Sequence, residues 1–227
     1  MDRRTFSRLA LSGIGLAMLP RSVAFGAAAK PASPLPAPAP APVVPAAAAL
    51  SPPPAYAATP YARLLDRARA ALDNHGGAIA LRDRVALADF SAASRELRFH
   101  IVDLVAGRAN SYLVAHGRGS DPAHSGWLHS FSNEPGSLAT SDGAYRTGEI
   151  YYGMHGAAMR LAGLEVRNSN AEARAIVIHG ADYVSENQIA TWGKLGRSEG
   201  CFAVAPHILP HVLGQLGSGR LLYADKV

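Results

Sequence analysis

The sequence is almost without cysteine. Among its 227 residues it has one, Cys201, so no disulfide can form within the chain. A stray thiol is a liability in an oxidising compartment, so an isolated cysteine in an exported protein invites a functional explanation. The alternative is that Cys201 packs as a small buried apolar residue.

Aromatic residues and net charge are also scarce. Aromatic residues make up 7% of the chain, although 48% of all residues are hydrophobic, which is enough to build a core. Four arginines and one aspartate give residues 1–29 a charge of +3, which leaves +2 of the total +5 for the rest. A nearly neutral remainder argues against a nucleic-acid surface, so we expect no nucleic-acid partner.

The first 29 residues are typical of an export signal. A charged start precedes an apolar run at 9–19 that is short for a membrane span, and small residues follow it. The motif RRTF at residues 3–6 resembles a twin-arginine signal, with a Sec signal as the alternative. We therefore expect export to the periplasm or cell envelope of a bacterium. The export route and cleavage of the leader stay open.

Residues 30–60 are dominated by proline and alanine, and they predict an extended, semi-rigid linker. The folded domain is predicted over 61–227. Apolar residues at helical spacing predict a first helix that ends near residue 74, and residues 84–89 are interpreted as a second, short helix. Beyond them strands dominate, with a long loop at 117–143 and a late helix at 206–216. This pattern predicts a β-rich α+β fold with short flanking helices.

The segment HGADYVSENQIATWGKLGRSEGC, residues 179–201, contains the parts that a thiol nucleophile needs. Thiolate is the reactive form, and histidine is its usual base because its pKa lies near neutrality. His179 follows the apolar strand AIVI, which would hold its position, and Gly180 lets the chain turn away. Cys201 is the candidate nucleophile and His179 the candidate base.

The residues just before the cysteine extend this hypothesis. Arg197 supplies a permanent positive charge and Ser198 a hydroxyl. Gly200 allows the backbone to approach a substrate closely, so that its amide and the amide of Cys201 could stabilise an oxyanion. We count Cys201, His179 and Ser198 as candidate catalytic residues.

The motifs IVIHGADYVSE, GKLGRSEGC and SFSNEPGSLATSDGAYRTGEIYYGMHGAAMRLAGLE together resemble the murein L,D-transpeptidase catalytic domain family, within the YkuD-like superfamily. The resemblance covers roughly residues 61–223. It implies a YkuD-like β-sandwich with the cysteine at the end of a cleft. It also implies Arg197, Gly180 and His155 as substrate-binding residues, while His116-Gly117 is a similar but weaker pair.

The resemblance further implies the chemistry. Cys201 would attack the bond between diaminopimelate and D-alanine in a peptidoglycan tetrapeptide stem, and an acceptor amine would resolve the thioester to a 3→3 cross-link. His179 would act as base and then acid, oriented by a backbone carbonyl. The protein would act as a monomer, without a cofactor. His207 and His211 lack the glutamate of a zinc-binding HExxH motif, so we expect no metal.

Several alternatives stay open at this stage. Water could resolve the thioester, giving an L,D-carboxypeptidase or endopeptidase, or the acceptor could be a lysine of an outer-membrane protein. The domain could also be a non-catalytic cell-wall binding module. A papain-like peptidase fits less well, because its cysteine usually precedes its histidine. Glu199 and Phe202 depart from the histidine and proline that relatives often carry, which leaves acceptor choice open.

Overall fold

The computed structural model describes residues 59–153 and 156–227. The predicted export signal, nearly all of the predicted linker and His155 lie outside the described residues. The helices are α1 (Ala62–Asn74), α2 (Glu186–Trp192) and α3 (Leu209–Leu216). The strands are β1 (Arg84–Asp89), β2 (Phe99–Asp103), β3 (Arg108–Tyr112), β4 (Gly143–Gly153), β5 (Gly156–Gly163), β6 (Val177–Gly180), β7 (Phe202–Val204) and β8 (Leu221–Asp225).

The eight strands form one mixed sheet in the order β3-β2-β1-β8-β4-β5-β6-β7. Two neighbouring pairs are parallel, β1 with β8 and β6 with β7, and the other pairs are antiparallel. The last strand in the chain, β8, lies between β1 and β4, and β6 and β7 form one edge of the sheet. This architecture confirms the predicted β-rich α+β fold with short flanking helices.

The helix predicted near the start of the domain is confirmed as α1. Its apolar residues recur at helical spacing, and the five that are buried share one face: Leu64, Leu65, Ala68, Ala71 and Leu72. This face packs on β1 and β8 in a cluster that also contains Val85, Leu87 and Leu221. Truncation of one such leucine to alanine typically costs about 2–5 kcal/mol.

The prediction that residues 84–89 form a helix is wrong, since they form strand β1. Val85 and Leu87 face α1, while Ala86 and Ala88 face a second cluster that includes α3. Because both faces of this strand are covered, its sequence is a continuous apolar run without the alternation that marks a half-exposed strand. Periodicity cannot separate such a run from a buried helix.

The sequence analysis missed two short elements, α2 and β7, which flank the Cys201 segment on either side. Helix α2 has no buried residue, so it lacks an apolar stripe. Its signals are local: the Ser185 hydroxyl accepts a hydrogen bond from the Gln188 amide, and Gly193 ends the helix with a left-handed φ of 70°. No helix within residues 59–153 and 156–227 is long and apolar enough to cross a membrane.

Candidate active site

The parallel pair β6–β7 brings His179 and Cys201 together. Ile178 is opposite Phe202 and His179 is opposite Ala203, so Cys201, one residue before β7, comes level with Val177. Parallel strands need a crossover connection, and the segment containing α2 provides it. Two residues that are far apart in the sequence therefore lie on neighbouring strands at one edge of the sheet.

His179 and Cys201 line a common cavity of about 1110 Å³. The other predicted site residues at its wall are Arg197, Ser198 and Gly180. Leu138, from the long loop predicted at 117–143, lies on the same wall. The cavity therefore brings together all but two of the predicted site residues. The exceptions are Gly200, which is buried, and His155, which is outside the described residues.

The side chain of His179 is held by a main-chain carbonyl. Its Nδ1 lies 2.9 Å from the carbonyl oxygen of Gly180, and the residue is 9% exposed. A carbonyl only accepts hydrogen bonds, so Nδ1 carries the proton of the neutral ring. The other nitrogen, Nε2, then carries the lone pair that can accept a proton, so the Gly180 carbonyl orients the ring for the role of a base.

The Cys201 thiol is partly shielded from solvent. Its Sγ lies 3.5 Å from the carbonyl oxygen of Ala175. Desolvation is the main cause that raises the thiol pKa above its ordinary value, and the negative charge of Glu199 raises it further. The Val177 amide and the Arg174 guanidinium lower the pKa in part. The resting form at neutral pH is therefore the protonated thiol, and a nucleophilic reaction needs a base to remove its proton.

Ser198 fixes the loop that presents the thiol. Its hydroxyl donates to the Cys201 carbonyl at 2.7 Å and accepts from the Gly200 amide at 3.2 Å, and the residue is 3% exposed. These two hydrogen bonds hold the Ser198–Cys201 turn in shape. The geometry gives Ser198 a positioning role, and its catalytic role stays a prediction. The Gly200 amide points to this hydroxyl, so its oxyanion role also stays a prediction.

The segment around Gly117 braces this turn from one side. The Ser198 amide donates to the His116 carbonyl at 2.9 Å, and the Arg118 amide donates to the Ser198 carbonyl at 2.8 Å. A Cβ added at Gly117 would lie 2.7 Å from the Gly200 Cα and 2.4 Å from the Leu138 carbonyl oxygen. Glycine is needed at Gly117 because three pieces of backbone meet there without room for a side chain.

Beneath the turn lies a buried polar network. Arg98, fully buried, donates to the Val114 carbonyl and lies 2.7 Å from Nδ1 of His116. Burial is the main cause that lowers the pKa of His116 to about 3, with the Arg98 charge lowering it further against the raising effect of Asp121. A guanidinium only donates, so this His116 is neutral with Nδ1 as acceptor, and it lies outside the cavity.

Two arginines line the cavity, and they are placed differently. Arg197 donates to the carbonyls of Asp121 and Pro122, so its guanidinium is tied to the loop after Gly117. The guanidinium whose charge lowers the pKa of Cys201 belongs to Arg174. Sequence analysis missed Arg174, and assigned the positive charge near the thiol to Arg197. Binding of substrate by Arg197 stays a prediction.

Among the described residues, no group of three or more His, Cys, Asp or Glu side chains could hold a metal ion. Nε2 of His211 lies 2.8 Å from the amide nitrogen of Gln215.

A family model described as the L,D-transpeptidase catalytic domain matches residues 61–224. The chain belongs to this family, which confirms the resemblance found in its motifs. No curated protein sequence matches the chain.

Three solved structures have a distant similarity to the chain. An L,D-transpeptidase from Mycobacterium smegmatis is 12% identical, with a TM-score of 0.39 over 63% of this chain and 58% of that one. One from Mycobacterium tuberculosis H37Rv is 13% identical, with a TM-score of 0.38 over 63% and 58%. The helical cell shape determining protein Pgp2 from Campylobacter jejuni is 15% identical, with a TM-score of 0.38 over 63% and 47%. The chain thus spans about half to three fifths of the length of these proteins.

Proposed function

We propose that the protein is a peptidoglycan L,D-transpeptidase that uses Cys201 as its nucleophile. The observation that carries the proposal is the placement of Cys201 and His179 in one cavity, on neighbouring parallel strands, with Cys201 level with Val177, two residues before His179. Two further facts support it. The raised thiol pKa creates a need for a base, and the Gly180 carbonyl leaves Nε2 of His179 able to meet that need.

In the first half of the reaction, Nε2 of His179 takes the thiol proton and the Cys201 sulfur attacks the carbonyl carbon of the diaminopimelate–D-alanine bond. The new S–C bond pushes an electron pair onto oxygen, where main-chain amides at Gly200 and Cys201 stabilise it. The C–N bond then breaks, and His179 returns its proton to the departing amine of D-alanine. A thioester on Cys201 remains.

In the second half, an amine of another stem peptide attacks the thioester and His179 removes its proton. The S–C bond breaks, and the sulfur recovers a proton from His179. The product is a 3→3 cross-link, and the enzyme returns to its starting state. Water in place of the amine gives a carboxypeptidase, and a lysine of an outer-membrane protein gives a protein–peptidoglycan link.

The substrate indicates the cellular compartment in which this reaction would take place. Peptidoglycan stems are cross-linked outside the cytoplasm, so we propose that the leader at 1–29 exports the chain and that residues 30–60 space the domain from it. The leader and nearly all of the 30–60 segment lie outside the described residues. Their role is tested by fractionating cells that express the chain with and without residues 1–29.

The activity is tested with the full chain and purified disaccharide-tetrapeptide. Products are followed by mass spectrometry, with Cys201→Ala in parallel. We expect loss of D-alanine, a cross-linked dimer and a covalent thioester on the wild-type chain, all absent from the variant.

Any other result would favour a different acceptor or a different function. Tripeptide without dimer means that water is the acceptor, and a link to an added lysine peptide means that a protein is. D-Alanine release that persists in Cys201→Ala contradicts the cysteine nucleophile. If the wild-type chain binds the tetrapeptide without turnover, the binding-module alternative is favoured.

A further inference from the structure

The thiol of Cys201 must carry negative charge during its reaction, in surroundings that disfavour it. Desolvation already raises its pKa, and the neighbouring Glu199 carboxylate adds a like charge. A positive charge held close to the sulfur would favour the thiolate in these surroundings. The candidates are the two arginines that line the cavity, Arg174 and Arg197.

Arg174 is held where such a charge is required. One guanidinium nitrogen donates to the Ser132 carbonyl at 2.8 Å, and the other donates to the Ala139 carbonyl. These bonds tie the turn before β6 to the long loop at 117–143. With both terminal nitrogens bonded, the guanidinium has little freedom to swing away, so its charge is fixed in place.

The fixed guanidinium lies against the residue that precedes the nucleophile. A Cβ added to Gly200 would lie 3.2 Å from Nη2 of Arg174, and Gly200 has a positive φ of 118°. The same Cβ would lie 2.8 Å from the Ala139 carbonyl oxygen, so the lack of a side chain at Gly200 leaves room both for the guanidinium and for a carbonyl to which it donates. Ala175, the next residue after Arg174, offers its carbonyl to the thiol itself.

The other cations of the region are engaged elsewhere. Arg197 donates to the carbonyls of Asp121 and Pro122. Arg118 pairs with Glu199, its guanidinium nitrogen 2.8 Å from the carboxylate. Neither has the position of Arg174 next to Gly200.

We propose that Arg174 is the positioned positive charge of this site: its guanidinium, fixed against the Gly200–Cys201 peptide, stabilises the negative charge that forms on the Cys201 sulfur. Arg174 acts through Cys201 and is therefore a positioning residue. The inference rests on Cys201 as the nucleophile of the proposed function. It does not depend on which acceptor the enzyme uses.

Several ionisable groups face the cavity and have to be controlled for in any titration of the thiol. They come from β4, from the turn before β6, from β6, from the segment after it and from the loop before Cys201, and they are Tyr151, Arg174, His179, Asp182, Tyr183, Arg197 and Glu199. Among them, the positive charge of Arg174 lowers the pKa of the Cys201 thiol, and the negative charge of Glu199 raises it. The two residues thus predict shifts of opposite sign.

The test measures thiol reactivity in the full chain, without any peptidoglycan. Alkylation of Cys201 by neutral iodoacetamide is followed against pH by mass spectrometry, which gives the midpoint of thiolate formation. We expect Arg174→Gln to move the midpoint to higher pH and Glu199→Gln to move it to lower pH. Arg197→Gln is the matched control, because it removes a cavity arginine that is also held by two carbonyls, and we expect it to leave the midpoint in place.

A second measurement separates charge from structure. The same thiolate attacks both iodoacetate and iodoacetamide, so the ratio of the iodoacetate rate to the iodoacetamide rate reports the local field and not the thiolate fraction. We expect this ratio to fall about threefold in Arg174→Gln, the size of one charge at a partly exposed site. Arg174→Lys keeps the charge, so it should retain most of the ratio even if the carbonyl bonds are lost.

Two results would overturn the proposal. One is an unchanged midpoint and reagent ratio in Arg174→Gln when its thermal unfolding matches the wild type. The other is an equal shift in Arg197→Gln, which would assign the effect to the cavity's total charge. If Arg174→Gln does not fold, the ratio in Arg174→Lys decides: loss of the wild-type ratio contradicts the proposal. A third result separates this proposal from the proposed function. If the alkylation midpoints of the variants shift as expected but the wild-type chain forms no cross-link, the role of Arg174 is sustained and the transpeptidase function is rejected.

Discussion

Two histidine–glycine pairs lie within one region of this domain and have different surroundings. His179 faces a cavity, and a carbonyl acceptor at Nδ1 leaves Nε2 able to take a proton. His116 is buried with Arg98 donating to its Nδ1, and burial lowers its pKa to about 3. The partner at Nδ1 is a carbonyl in one case and a guanidinium in the other, so the rings present opposite tautomers. The dipeptide alone does not define a base.

The largest expected difference between the two is catalytic. His179→Asn should lower the rate of D-alanine release by about 10²–10⁴-fold, because the general base is lost. The melting temperature should stay close to that of the wild type. A rate within tenfold of the wild type, measured by mass spectrometry on folded protein, would remove His179 from the role of base.

His116 should affect stability instead. His116→Leu leaves a buried Arg98 donor without its acceptor, which should cost about 1–3 kcal/mol in the free energy of unfolding. His116→Asn, whose side-chain oxygen can replace Nδ1 as acceptor, should recover part of this loss. Urea unfolding measures both, with the exposed His207→Asn as a control expected within about 0.5 kcal/mol. Equal stability of the Leu variant and the wild type would contradict the structural role.

The pH dependence of stability provides a second way to distinguish the two pairs. In the folded state the pKa of His116 is about 3, below the ordinary 6.5 of the unfolded chain. Between these values the unfolded chain binds the extra proton, so stability is complete above pH 6.5 and is lost as the pH falls towards 3. His116→Asn should flatten this part of the curve.

Another buried histidine sets the background for that measurement. Burial lowers the pKa of His100 to about 4, so its contribution is lost as the pH falls from 6.5 towards 4 and remains in His116→Asn. The slope of unfolding free energy against pH should thus decrease in the variant without vanishing. An identical slope in variant and wild type would show that His116 is protonated in the folded state.

Ser198 connects the two pairs, and it should give the smallest effect. Its amide bonds to the His116 carbonyl, and its hydroxyl closes the turn at Cys201. Ser198→Ala should cost about 1 kcal/mol of stability, the usual net value of a hydrogen bond, and reduce the rate by less than tenfold. A loss of about 10²-fold or more at unchanged stability would restore Ser198 as a catalytic residue.

Local sequence signals were enough for part of the fold. Helix α1 was predicted because one face of it is buried and the other is exposed, which produces the 3.6-residue pattern. Strand β1 is mistaken for a helix because both of its faces are covered, and α2 escapes detection because none of its residues is buried. Periodicity reports a boundary between core and solvent, and it fails wherever an element does not have one.

The sequence by itself determined the family, the nucleophile candidate and the base candidate, because one cysteine and one strand-delivered histidine stand in a long ordered motif. Only the tertiary structure decided which arginine lies beside the thiol, which histidine can accept a proton and which groups form hydrogen bonds with the Ser198 hydroxyl. Those properties depend on distances across the β6–β7 pair and on the loops packed against it. Electrostatic effects of this kind follow separation in space and burial, and sequence spacing records neither.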